Sequence, residues 1–169
     1  MSGLFPPATT RDMSGRQTCC ILDMEDYSIP DGLCPHLIKK KIKTAMLDSG
    51  YRGKVEVWVC VAENTWSDEL RDKFESCGIC VCHTSQGDKE DQRLTMILVE
   101  LLFWAWNAGT SNVLILSKHH EEMEQYPRFS RFRKALESKG YCVVSAKPET
   151  LINQSIIEEE QSGKLRGYF

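Results

Sequence analysis

Apolar runs of two kinds alternate along the chain, and their periods predict its elements. Thr18 to Asp23 (TCCILD) is a short β-prone run ending in acid, with Glu25 and Asp26 close behind. Lys54 to Ala62 (KVEVWVCVA) is the clearest strand: it alternates at its start and then becomes continuously apolar, as a buried parallel strand does. Ile79–His83, Asn112–Ser117 and Tyr141–Ala146 read as three further short strands. Between them the period lengthens. Leu33, Leu37, Ile38, Ile42, Ala45 and Met46 recur at helical spacing from Asp31-Gly32 to about Asp48, where Gly50 stops the helix. Ser67 caps a second helix running to Ser76. A long helix over Lys89–Asn107 buries Leu94, Ile97, Leu98, Leu101, Leu102 and Ala105; Phe103, Trp104 and Trp106 make it apolar almost all round, which predicts a central position. Lys118–Tyr126 is a charged loop or short helix, and Arg128–Lys139 is a helix with Phe129, Phe132 and Leu136 facing inward.

Five strand-to-helix alternations predict an α/β fold: three layers, with a mostly parallel five-stranded sheet and right-handed crossovers. Residues 1–16, polar with Pro6-Pro7, read as a disordered leader; 17–152 form one domain; 153–169, polar and acidic without periodicity, read as a flexible tail. A chain of 169 residues suits one core of this size.

Charge and cysteine usage narrow the function classes. A net charge of −3 supplies no global field toward nucleic acid or anionic lipid, so any polyanion site is a local patch. Lys39, Lys40, Lys41 and Lys43 on the first helix, and Arg128, Arg131, Arg133 and Lys134 on the last, are two such patches. With Tyr27, Tyr126 and Phe129 they are candidates to hold a single strand through phosphate contacts and stacking. The longest apolar stretch, Met96–Ala105, is broken by Glu100 and too short to span a bilayer. The first residues carry no apolar segment of the secretory kind, so the expectation is an intracellular protein, cytoplasmic or nuclear. The eight cysteines are then expected as reduced, buried thiols. Cys77-x-x-Cys80-x-Cys82-His83 has the look of a zinc site, but strand alternation turns His83 away from Cys80 and Cys82, and no second CxxC pair completes it.

In a parallel sheet the carboxyl ends of the strands open on one edge. Asp23, Glu25 and Asp26 follow the first strand; Asp88, Glu90 and Asp91 follow the third; His119, His120, Glu121 and Glu122 follow the fourth. Carboxylates gathered there would hold a hard divalent cation through oxygen, Mg²⁺ or Mn²⁺, able to activate water and neutralise a phosphodiester. Acids at helix starts also simply favour the helix dipole, which accounts for Glu90 and Asp91 better than for Asp23.

These residues resemble a family. LDMEDYSIP at the end of the first strand is similar to the [WF]-x-D-x-E-N-x-x-x-P opening of the NYN domain, a PIN-like, Rossmannoid ribonuclease fold, and the limkain-type branch (meiosis regulator and mRNA stability factor-like) is the nearest in pattern. Gly50-Tyr51-x-Gly53, Ser76-x-Gly78-Ile79, His83 with Gly87 and Lys89, Val99–Ala105, Leu114–Ser117 and YCVVSAKP follow in the same order, so the resemblance spans roughly residues 18–150. It implies a metal-dependent endoribonuclease involved in RNA processing or regulation of gene expression. Asp23 and Asp91 would hold the ion, Glu25, Asp26 and Glu121 would complete the shell or orient water, and single-stranded RNA would lie on Lys39, Lys40, Lys43, Arg128 and Arg131. Target selection through a protein partner and peroxisomal association are implied by the family alone.

The sequence also departs from the family. Asp26 replaces its Asn. Counting back from Leu102-Phe103-Trp104-Ala105 puts the helix-start acid near Leu94, about a turn from Asp91. Ser117-Lys118-His119-His120-Glu121-Glu122 replaces S-G-D-x-D-F, with His119 in the main Asp position. A histidine brings no negative charge, and Lys118 adds a positive one. Two readings therefore stand: an active nuclease, and a non-catalytic RNA- or protein-binding module on the same scaffold.

Overall fold

The computed structural model describes residues 4–24, 34–62, 64–84 and 90–152. Its core is a five-stranded sheet in the order β3-β2-β1-β4-β5, and every pairing is parallel. The strands are β1 (Thr18–Asp23), β2 (Val55–Ala62), β3 (Cys80–Thr84), β4 (Asn112–Leu116) and β5 (Cys142–Ala146). The helices are α1 (Arg11–Ser14), α2 (Pro35–Asp48), α3 (Asp68–Ser76), α4 (Glu90–Ala108), α5 (His120–Gln125) and α6 (Pro127–Glu137). This is the three-layer, Rossmann-like α/β arrangement expected from the alternation of periods, with the strand order reversing between β1 and β4.

β1 is central and buried along its whole length, and its alternating side chains divide the core in two. Cys20 and Leu22 join Val57, Val59, Leu114 and Leu116 on one face, covered by Ile38, Ile42 and Met46 of α2 and Phe74 of α3. Cys19 and Ile21 join Val113, Ile115 and Val143 on the other, covered by α4 and by Phe129, Phe132 and Leu136 of α6. Helices α2 and α6 thus lie on opposite sides of the sheet. Of the positions the spacing predicted in α2, Ile38, Ile42 and Met46 are buried and recur every four residues, Leu37 and Ala45 are half-buried, and Leu33 lies outside the described residues; α6 buries Phe129, Phe132 and Leu136 as its spacing predicted. Ser67 caps α3 by accepting the Leu70 N–H at 3.1 Å.

Three expectations need correction. Residues 4–16 do not form a disordered leader. Phe5 is buried against Tyr51, Tyr51 Oη donates to the Pro6 carbonyl at 2.7 Å, and Ala8 N–H donates to the Ser49 carbonyl at 2.8 Å. One aromatic anchor and these hydrogen bonds hold a proline-containing segment that local composition marks as loose. Second, α4 is not enclosed all round: Phe103 is 68% and Trp106 87% exposed. Total apolar content does not tell which side of a helix meets the sheet; the sheet takes only Leu94, Ile97, Leu98, Leu101 and Ala105. Third, the cysteines are free, but not all are buried, since β3 is an edge strand and Cys80 on it is exposed. The expected tail at 153–169 lies outside the described residues. No helix among the described residues is long and apolar enough to cross a membrane.

Candidate functional site

The reversal of strand order brings the carboxyl ends of β1 and β4 side by side, the usual ligand position in an open α/β sheet. Asp23 closes β1 there and is 2% exposed. Ser117, directly after β4 and fully buried, donates its hydroxyl to Asp23 Oδ2 at 3.0 Å and accepts the His119 N–H at 3.1 Å. The Asp23 carboxylate therefore ties the two strand ends together.

The countercharge to Asp23 is a cation of the protein itself. Arg93, in the first turns of α4 and 6% exposed, places Nε 3.5 Å from Asp23 Oδ1. Taking two charges out of water costs several kcal/mol per ion and persists where each is compensated by the other and by hydrogen bonds. Leu94, Ile97, His119 and Met123 line the site around the pair. The buried Asp23 carboxylate is thus compensated by the Arg93 guanidinium and the Ser117 hydroxyl.

The other acids assigned to the site are not gathered onto Asp23. Glu25 and Asp26 lie outside the described residues, as does the side chain of Asp91; its backbone is in the first turn of α4. Glu121 opens α5 with its side chain 75% exposed, and its Oε1 lies 4.0 Å from His120 Nε2. His119 sits over the Asp23–Arg93 pair, its Nδ1 3.8 Å from Glu122. Among the described residues no three His, Cys, Asp or Glu side chains are grouped to hold a metal. Of the two residues expected to hold the ion, Asp23 and Asp91, only Asp23 has a described side chain, and its carboxylate meets Arg93 and Ser117.

Beside His119 the fold builds a second polar cluster. Arg133 of α6 pairs with Glu124 of α5 at 2.5 Å and stacks over the Phe129 ring at 4.8 Å. Burial opposes ionisation of Glu124, but its bonds to Arg133 and Ser145 prevail and hold its carboxyl below the usual range. His120 Nδ1 lies 3.3 Å from the same Ser145 hydroxyl. The cluster fastens α5 and α6 to β5.

The basic residues separate into two sites. Lys39, Lys40 and Lys43 of α2 line an open cavity of about 530 Å³ together with His36, Lys54, Val55 and Cys77. Arg128 and Arg131 belong to α6, across the sheet, and Arg128 donates to Thr95 Oγ1. One short RNA strand therefore does not reach both sets on one surface. Phe129 is fully buried and unavailable for base stacking, a second correction to the expected strand-binding surface; Tyr27 lies outside the described residues.

Sequence reasoning missed Arg93, Ser117, Lys54 and His36 as members of these sites. Arg93 carried a signal: it lies four residues before Ile97 and eight before Leu101, on the stripe α4 buries. A charge on a buried stripe calls for a buried countercharge. Lys54 and His36 carried none, since only the packing of α2 beside β2 brings them together.

Comparison with known proteins does not name a family. No family model matches the chain, and no curated protein matches it. Among solved structures, MrsD from Bacillus sp. HIL-Y85/54728 aligns over 94% of this chain and 99% of its own, at 10% identity and a TM-score of 0.33. That similarity is too low to carry an argument about function.

Proposed function

We propose that the chain is a non-catalytic module of NYN type that binds single-stranded RNA through the lysine-lined cavity of α2. The observation that carries the reading is the buried Asp23–Arg93 pair: the leading acid of the resembled nuclease site is neutralised by the protein's own cation. Lys39, Lys40 and Lys43 around one cavity supply what a phosphate backbone needs, several ammonium groups within one groove of a chain that is acidic overall, with Lys54 beside them paired to Glu56 at 3.3 Å. Phosphate recognition by lysine requires no metal and no particular sequence. Target choice then rests with a partner or with stacking groups elsewhere.

The test is a paired measurement on a fluorescent single-stranded RNA: binding by anisotropy, and cleavage with Mn²⁺ beside an EDTA control. The expected result is binding without cleavage, with binding weakened by Lys39→Ala combined with Lys43→Ala. Mn²⁺-dependent cleavage abolished by Asp23→Asn would overturn the non-catalytic reading in favour of a nuclease. Absence of RNA binding would leave the scaffold as a protein-binding module and remove RNA from the proposal.

A further inference from the structure

Among the described residues, the exposed large apolar side chains gather on the outward side of α4, with Leu47 apart from them. Met96, Val99, Leu102, Phe103 and Trp106 are all exposed and adjacent along the helix. The sheet beside them is only partly covered by the described residues. In doubly wound folds helices cover both faces, yet on this side Trp58 and Cys82 are only half-buried and Cys80 is exposed. The gap holds a cavity of about 380 Å³ lined by Trp58, Phe103, Trp104, Glu56 and Glu100.

The spacing on α4 says what fits. Met96, Val99, Phe103 and Trp106 are separated by three, four and three residues, the seam by which one helix packs along another. The seam is self-complementary under a two-fold axis crossing at the level of Leu101. An antiparallel copy then sets Val99 against Phe103 and Met96 against Trp106, a smaller side chain opposite a larger in each pair. No seam position carries a charge, and the flanking Gln92, Thr95 and Asn107 are neutral; Glu100, also beside the seam, comes near its own copy at the axis, a like-charge contact at the solvated rim that the apolar burial has to offset. Covering the five residues removes on the order of 500 Å² per chain, given about 150–250 Å² for each large aromatic. Two copies thus bury about 1,000 Å², the lower limit for a specific interface. We propose that this face of α4 is a homodimer interface, formed by antiparallel packing of α4 on α4 of a second copy of this chain.

An interface of this size predicts a concentration-dependent dimer, and sedimentation velocity of the full chain from about 1 to about 100 μM reads it. Dimer growing in over this range is expected. Val99→Lys and Phe103→Glu should each give a monomer that melts as the wild-type chain does at concentrations where it too is monomeric, since both positions are exposed. An equimolar mixture of the two variants should recover dimer, because the new lysine of one chain then faces the new glutamate of the other. A wild-type monomer at the highest concentration overturns the proposal by itself and leaves the face to residues 153–169 or to a different protein. Dimer persisting in both variants, or a mixture that stays monomeric, also overturns it: the first places the contact elsewhere, the second excludes the antiparallel pairing.

Discussion

Asp23 and Arg93, seventy residues apart in the chain, face each other at 3.5 Å beneath the junction of β1 and β4, with side chains 3% and 8% exposed. The pair sits where an open α/β sheet ordinarily receives its ligand. It ties the central strand to α4.

Breaking that tie should be costly. Arg93→Met leaves a buried carboxylate without its guanidinium, and the expected loss is about 3–5 kcal/mol in urea unfolding. Adding Asp23→Leu should recover most of it, since replacing both members of a buried pair by apolar groups is often neutral. A loss below about 1 kcal/mol for Arg93→Met would show that the charges are solvated rather than buried.

The lysine cavity makes a salt-dependent prediction. Each phosphate contact on a single strand contributes a slope of about −0.7 to log K against log salt. Lys39→Ala and Lys43→Ala should each flatten the slope by about that amount, whatever the RNA sequence. Arg131→Ala, on the opposite side of the sheet, should leave both affinity and slope unchanged. A matching loss at Arg131 would mean that the strand wraps an edge of the sheet.

Cysteine reactivity should follow position in the sheet. Burial, with the nearby Glu56 carboxylate second, pushes the exposed Cys80 thiol above its ordinary value. Only the thiolate attacks, so Cys80 should react with a disulfide reagent more slowly than a free thiol at pH 8 and accelerate above it. Cys80→Ser should remove the phase that accelerates above pH 8. Cys19 and Cys20, whose thiols burial raises far further, should react only in denaturant.

Gly53 is set by close approach rather than by a turn. A Cβ built there would lie 2.0 Å from the Arg16 carbonyl oxygen, where the chain entering β1 runs beside the one entering β2. Arg52 N–H to Ser14 O and Thr18 N–H to Lys54 O bracket the same contact. Gly53→Ala should cost about 1–3 kcal/mol in unfolding measurements, as overpacking does. No measurable loss would mean that residues 14–16 can withdraw from Gly53 freely.

The elements were legible because each is written in a local period. β1 and β2 show as continuous or alternating apolar runs, α2 and α6 as recurrences of three or four residues, and the parallel sheet follows from their alternation. Asp23 was also legible as acid at a strand end. What it does there was not, because its function depends on what faces it. Arg93, Ser117 and His119 are brought to it by strand order and by which side of α4 meets the sheet. The same choice of side exposed Phe103 and Trp106 on a helix whose composition asked for burial, and it sent the lysines of α2 and the arginines of α6 to opposite sides of the sheet. The sequence by itself determined which segments are strands and helices, since hydrophobic periodicity is a property of neighbours in the chain. Only the tertiary structure decided which charges neutralise one another and which apolar faces stay open, since a sheet has two sides and burial depends on residues far apart in sequence.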